Sequence, residues 1–258
     1  MLRASVNKQI AKCNNVTKDE IQSSIHPEIQ FKHNSVNLLI GRRGSGKTFN
    51  VLRELAFLSK IPHNYTQLIY VTNKLSDDTF HRLKKHISFP IIKVKYEDIE
   101  QCIQDIIEAK EDYKEIITKN LEQYIDDETR ERVLRTLDVK DFSKNEIHTV
   151  VLYDDAAEIF RNRKNKLSRM LFENRQPRIT YFLTMQDPFS LDVTVKTNLD
   201  TLWIFGGYCK QRFGLIFRQI NDCYKENEIW DYYQNLTMHQ ALVFHFEPTG
   251  SRITTVED

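Results

Sequence analysis

Lys47 and Thr48 close the stretch GRRGSGKT at residues 41–48, and three of the chain's seven glycines, Gly41, Gly44 and Gly46, fall inside it. The spacing fits G-x-x-x-x-G-K-[ST]. A loop of this kind wraps a phosphate in backbone N–H groups, and a Cβ at its glycine positions would hold the backbone away. A helix starting at its end adds partial positive charge. Gly41, Arg42, Arg43, Gly44, Ser45, Gly46, Lys47 and Thr48 are therefore the candidate nucleotide-binding residues. Lys47 is expected to reach the β- and γ-phosphates of ATP, and the Thr48 hydroxyl to hold Mg²⁺. The spacing leaves two readings of the Arg42 and Arg43 side chains: they line a subunit interface or face water.

A nucleotide site needs a second acid for the metal. The stretch TVVLYDDAAE, residues 149–158, is an apolar run ending in Asp154 and Asp155. Asp154 is read as the Walker B residue that holds Mg²⁺ through water. Asp155 is read as the group that orients or deprotonates the attacking water. The competing reading, an N-cap pair for a following helix, is the weaker one beside a P-loop. Glu158 is a poorer candidate, three residues further on. A second apolar run, RITYFLTMQD at 178–187, ends in Gln186. Taken alone, Gln186 reads better as a polar strand end; the order P-loop, acids, basic helix, then a strand ending in Gln favours a γ-phosphate sensor.

These groups need a frame. SVNLLI before the loop reads as a buried strand, and TFNVLRELAFLSK after it as a helix with Phe49, Val51, Leu52, Leu55 and Leu58 on one stripe. QLIYVTN (67–73), FPIIKVKY, IHTVVLYDD (147–155), RITYFLTMQD, TLWIFGG (201–207) and QALVFHF (240–246) read as further strands. SDDTFHRLKKHI reads as a helix capped by Ser76 or Asp77. Residues of about 98–145 read as a helical insertion, charged on one side. Strands alternating with helices predict an α/β fold with a mainly parallel central sheet flanked by helices. Residues 1–30 read as an N-terminal extension and 31–258 as one P-loop ATPase domain.

Several nucleotide-using classes are disfavoured. The acids are followed by Ala156, Ala157 and Glu158, without the glycine of a GTPase switch. In TNKLSD, Ser76 stands where a guanine-reading Asp belongs. Paired acids at a strand end favour hydrolysis by water over transfer to a small acceptor.

GRRGSGKT, VVLYDD, ENRQPRITYFLTMQD and VKTNLDTLWIFGG, in this order, resemble the FtsK–HerA superfamily of P-loop ATPases. Within it they are most similar to the A32-like genome-packaging ATPases of large DNA viruses and virophages. The resemblance spans roughly residues 35–220. It implies an additional-strand, RecA/FtsK-like P-loop NTPase. It also implies Lys47 and Thr48 at phosphate and Mg²⁺, Asp154 at Mg²⁺, Asp155 as catalytic acid/base and Gln186 as sensor. Lys196, Thr197 and Asn198 match the family's R/K-x-N element. Arg175 falls where the family carries an arginine before the sensor strand, which implies a finger on a neighbouring subunit's ATP. Asn174 replaces the glycine usual there, and Arg169, Arg178 and Arg212 are rivals for the role. After Glu247 eleven residues follow, so a C-terminal winged DNA-reading domain is not expected.

Composition agrees with this class. Hydrophobic residues make up 40% and charged residues 28% of the 258, and no apolar run is long enough to span a membrane. The start lacks a signal-peptide pattern. The expected compartment is the host cytoplasm, at a viral factory or with the virion. Cys13, Cys102, Cys209 and Cys223 are scattered and read as free thiols. The net charge of +1 hides an asymmetry: residues 97–146 hold 16 acids against 8 bases, and residues 161–178 hold seven bases against one acid. RNRKNKLSR, 161–169, is the candidate grip on double-stranded DNA, since phosphate contacts need no sequence reading; a solvated helix face is the alternative. The acidic insertion would meet a capsid or portal-vertex protein or another subunit of a homo-oligomeric ring. The resulting expectation is an ATP-driven double-stranded DNA translocase that packages a viral genome. The alternatives are a helicase or nucleic-acid remodelling ATPase outside packaging, and a nucleotide-gated assembly protein with little turnover.

Overall fold

The computed structural model describes residues 30–60, 63–74, 78–144, 146–161, 167–172, 176–220, 224–246 and 251–256. Residues 1–29 of the expected N-terminal extension, the Ser76/Asp77 cap, residues 162–166 of the basic stretch, Arg175, Cys13 and Cys223 lie outside them.

Eight strands form one sheet: β1 (Val36–Ile40), β2 (Tyr65–Val71), β3 (Ile91–Val94), β4 (His148–Tyr153), β5 (Ile179–Met185), β6 (Thr201–Phe205), β7 (Ala241–His245) and β8 (Arg252–Val256). Their order is β3-β2-β4-β5-β1-β6-β7-β8. The pairs from β3 to β6 are parallel, and β7 and β8 close the edge antiparallel. The central strands are buried on both faces, which is why they read as unbroken apolar runs. Side-chain alternation divides β1: Val36, Leu38 and Ile40 join one core and Leu39 the other.

Helices cover both faces. α1 (Lys47–Leu58) puts Val51, Leu52, Leu55 and Leu58 into the core that holds Leu39, with α2 (Asp78–His86) beside it. On the opposite face, α3 (Ile99–Lys119) buries Ile99, Ile103, Ile106, Ala109, Tyr113 and Ile116, and α4 (Asp127–Leu137) buries Val133 and Leu137. The helical stretch between β3 and β4 is thus two helices. Asn120 in the left-handed conformation ends the first, and the Asp126 side chain caps the second by accepting the Thr129 N–H. Four shorter helices follow: α5 (Leu167–Phe172), α6 (Val193–Thr197), α7 (Lys210–Phe217) and α8 (Glu226–Tyr233).

Three expectations are corrected. Phe49 is 55% exposed and does not share the apolar stripe of α1, because it lies on the solvent side of the first turn. The strand expected over 178–187 is shorter, so Gln186 follows β5 instead of closing it. β8 went unread; its RITTV pattern sits half-buried at an edge and lacks the apolar run of the central strands. Cys102 and Cys209 are free thiols. Among the described residues, no helix is long and apolar enough to cross a membrane.

Glu54 ties α1 to the chain entering β1. It is 4% exposed and accepts the Gln30 N–H at 2.9 Å. Burial raises its pKa to about 7, against the lowering effects of that hydrogen bond and of Arg53. A carboxyl whose folded pKa lies above its unfolded value favours the native state most when protonated in both states. Stability is therefore full below about pH 4.5 and falls as pH rises to about 7. Glu54→Gln should remove this loss, about 3 kcal/mol by proton linkage. Urea unfolding at about pH 4 and about pH 7.5 checks it: the gain of the variant over wild type should be near zero at the lower pH and near its full size at the higher.

Candidate active site

The loop between β1 and α1 occupies the C-terminal edge of the parallel sheet, where open α/β sheets bind ligands. Gly46 caps α1 in the left-handed conformation, φ 86°, and supplies no side-chain cap. The N–H groups of the helix's first turn are thus open to an anion. Gly41 is excluded from bearing a side chain for a different reason. A Cβ there would lie 2.3 Å from Ser45 Oγ and 2.9 Å from Phe205 Cβ. Ser45 Oγ is buried with no partner among the described residues. Lys47 Nζ folds back over the loop, donating to the carbonyls of Gly41 (2.7 Å) and Arg42 (2.9 Å). Burial lowers its pKa, while the charges of Asp155 and then Asp154 oppose the shift. Arg42 donates to the Gly207 carbonyl at 3.3 Å, and Arg43 is exposed.

Asp154 is buried at the end of β4, and four side chains converge on it. Thr48 Oγ1 donates to Oδ1 at 3.0 Å, and the Thr184 hydroxyl stands 3.3 Å from the same oxygen. Oδ2 receives the Tyr70 hydroxyl at 3.2 Å and Lys74 Nζ at 2.6 Å. The next residue turns the other way. Asp155 has φ 61°, a left-handed geometry that Asp tolerates better than most residues. Its N–H donates to Thr184 Oγ1 at 3.0 Å, and the Ala156 N–H to the Thr184 carbonyl at 2.8 Å. The Tyr96 hydroxyl donates to the carbonyls of Asp154 (2.8 Å) and Asp155 (3.3 Å). Adjacent aspartates are thereby assigned opposite environments, one buried against Thr48 and one exposed.

The exposed side opens on a cleft of about 850 Å³ whose lining includes Lys74, Tyr96, Asp155, Glu158, Arg161 and Gln186. The P-loop itself is not part of this lining. Gln186 and Asp155 thus share one space, and β5, which Gln186 follows, runs between β4 and β1. β5 is thus inserted between the P-loop strand and the Asp154 strand.

Hard oxygen donors from one hydroxyl and one carboxylate suit Mg²⁺, which takes its remaining ligands from water and phosphate. Thr48 and Asp154 fit that set, and Lys74 shows that the carboxylate accepts a cation. Among the described residues, no group of three or more His, Cys, Asp or Glu side chains gathers to form an all-protein metal site.

The arginines separate in space. Arg178 precedes β5 at the opposite pole of the sheet, ion-paired with Glu146 at 2.9 Å. Arg212 pairs with Asp187 at 2.9 Å and lies over the Phe189 ring at the rim of the cleft. Arg169 lies in α5. Lys196 Nζ donates to Gln219 at 3.1 Å, and Asn198 follows α6. Sequence reasoning missed Tyr70, Lys74, Tyr96 and Thr184. Lys74 lay within TNKLSD, which was tested only as a guanine reader. Thr184 lay inside an apolar run, two residues before Gln186.

No protein-family model matches the chain, and no curated protein matches it. Solved structures do. The DNA-packaging ATPase B204 of Sulfolobus turreted icosahedral virus superposes with a TM-score of 0.52 at 14% identity, over 85% of this chain and 96% of that one. The genome-packaging NTPase B204 of Sulfolobus turreted icosahedral virus 2, in complex with AMP, gives 0.52 at 15% identity over 85% and 96%. The cytoplasmic domain of the type VII secretion ATPase EccC of Thermomonospora curvata gives 0.53 at 14% identity, over 86% of this chain and 25% of that one. The chain shares the fold of these P-loop ATPases. The Thr48–Asp154 contact and the Asp155–Gln186 cleft stand at the C-terminal edge of the parallel sheet.

Proposed function

We propose that this chain is an Mg²⁺-dependent ATPase that drives double-stranded DNA into a viral capsid, working as a homo-oligomeric ring in the host cytoplasm. The observation that carries the reading is the strand order β4-β5-β1, with Asp155 and Gln186 on one cleft beside the P-loop. The likeness to B204, over 96% of a packaging enzyme's length against 25% of EccC, favours packaging among the uses of this fold. Bound there, Mg²⁺ would be held by Thr48 and, through water, Asp154, and would supply charge neutralisation at the phosphates. Lys47 binds the phosphate chain, Asp155 takes a proton from the attacking water, and Gln186 orients that water or the γ-phosphate. Arg175 is assigned as the finger in trans. Basic side chains about Arg161 grip DNA phosphates without reading bases.

ATP turnover should rise several-fold on adding blunt linear duplex, as substrate binding completes the site. Turnover is measured with and without duplex, and the oligomer's mass is measured with ATP present. A monomer unaffected by duplex overturns the reading. Strand separation on a forked duplex would replace packaging with a helicase function.

A further inference from the structure

Lys74 lies three residues past the end of β2, and β2 lies beside β4. The chain leaving β2 therefore emerges next to Asp154, and Lys74 Nζ reaches Oδ2 at 2.6 Å. The pair is asymmetric. The Asp154 side chain is 6% exposed and the Lys74 side chain 53%. The carboxylate is fixed by Thr48, Tyr70 and Thr184, and Tyr96 holds its backbone. The lysine's backbone is fixed as well. Its N–H donates to Thr72 Oγ1 at 3.2 Å, its carbonyl accepts Lys93 Nζ at 2.7 Å, and Asn73 Oδ1 accepts the Tyr96 N–H at 3.0 Å. The freedom that remains is in the lysine's four-carbon stem.

A buried carboxylate without a counter-charge is costly. The carboxylate that Lys74 neutralises is also the one assigned to magnesium, and an ammonium and a hydrated Mg²⁺ compete for its charge. The cleft beside it offers a displaced ammonium the carboxylates of Asp155 and Glu158, while a third, Asp187, is paired with Arg212.

Resting on the ATPase reading, we propose that Lys74 is a resident counter-ion: it holds the Asp154 carboxylate when no metal is bound, and swings into the adjoining cleft when Mg²⁺ and nucleotide arrive. Lys74 thereby narrows the difference between metal-free and metal-loaded binding. Without it, metal-free nucleotide meets an uncompensated carboxylate, and Mg²⁺ meets no competitor. Lys74 is a positioning residue, and its signature is the metal dependence of binding.

The test is equilibrium binding of a fluorescent ATP analogue to the full chain, in EDTA and in Mg²⁺, for wild type, Lys74→Met, Lys74→Gln and Lys74→Arg. The ratio of the two affinities should widen by at least about tenfold in the Met and Gln variants, as expected for losing a unit charge near the site. Lys74→Arg should stay near wild type. A wild-type ratio in either folded neutral variant overturns the counter-ion while leaving the ATPase reading standing. Wild type binding no nucleotide in either buffer overturns both.

Discussion

Lys47→Ala should weaken ATP binding at least about a hundredfold and abolish turnover, while leaving the fold in place. The lysine makes charge-assisted hydrogen bonds, each worth roughly 1.5–3 kcal/mol to a phosphate. Two of them lost correspond to a factor of about a hundred or more. The fold is spared because the two hydrogen bonds that Lys47 makes go to carbonyls of its own loop, Gly41 and Arg42, which water can satisfy. Lys47 is not among the buried residues of α1, which start at Asn50 and Val51. The ammonium is also partly desolvated, which lowers its pKa and strengthens its pull on a phosphate. Calorimetric titration with ATP and Mg²⁺ reads the affinity, and a thermal melt reads the fold. Binding within tenfold of wild type, with an unchanged melt, would mean that the phosphates lie elsewhere.

The parts of this site that were legible in the sequence share a property: their chemistry is contained in one short segment. GRRGSGKT carries its own turn, helix start and cation. YDD carries a strand end and two acids, though not the reversal that separates them. That reversal comes from φ 61° at Asp155 and from Thr184 on β5, which receives the Asp155 N–H. What stayed hidden is contact set by strand order. Lys74 follows β2, Tyr96 follows β3, and Thr184 lies in β5; they meet because β3-β2-β4-β5 are successive neighbours. Local periodicity says that a strand exists and which way its side chains alternate, but not which strand lies beside it. The family resemblance supplied the one neighbour relation that was anticipated, β5 between β1 and β4. Phe49 shows the same limit in a helix: an aromatic next to the stripe reads as core, and only the placement of the P-loop shows that the first turn faces outward.

The buried polar pairs were equally out of reach. Asn37 in β1 donates to the Tyr181 carbonyl at 3.0 Å and accepts the Thr201 hydroxyl at 2.6 Å, joining three strands. In sequence Asn37 is an interruption of VNLLI. In the sheet it bonds to both neighbours of the P-loop strand, and a buried amide without such partners would cost stability. Asp200 adds to this by accepting the Val36 N–H at 2.8 Å. The P-loop is thus anchored from the base of its strand as well as from its own glycines.

Asp155→Asn should lower ATP turnover by about 10²–10⁴, the usual worth of a positioned general base, with ATP affinity unchanged or slightly tighter. The substitution keeps the side chain's size and the left-handed backbone, since Asn enters that region as readily as Asp. The Asp155 N–H and carbonyl keep their bonds to Thr184 and Tyr96, because those are backbone groups. What disappears is the carboxylate in the cleft with Gln186. Affinity holds because the phosphate ligands are untouched. It can tighten because one negative charge near the phosphates, the same charge that opposes the lowering of the Lys47 pKa, is gone. Asp154→Asn makes the contrast: it removes half of the Thr48–Asp154 metal set, so its loss should depend on Mg²⁺ concentration, whereas the Asp155→Asn loss should not. Single-turnover hydrolysis and nucleotide binding across a Mg²⁺ series separate the two. Wild-type turnover in Asp155→Asn would remove it as the base and shift the water-activating role to Glu158, another acid on the cleft.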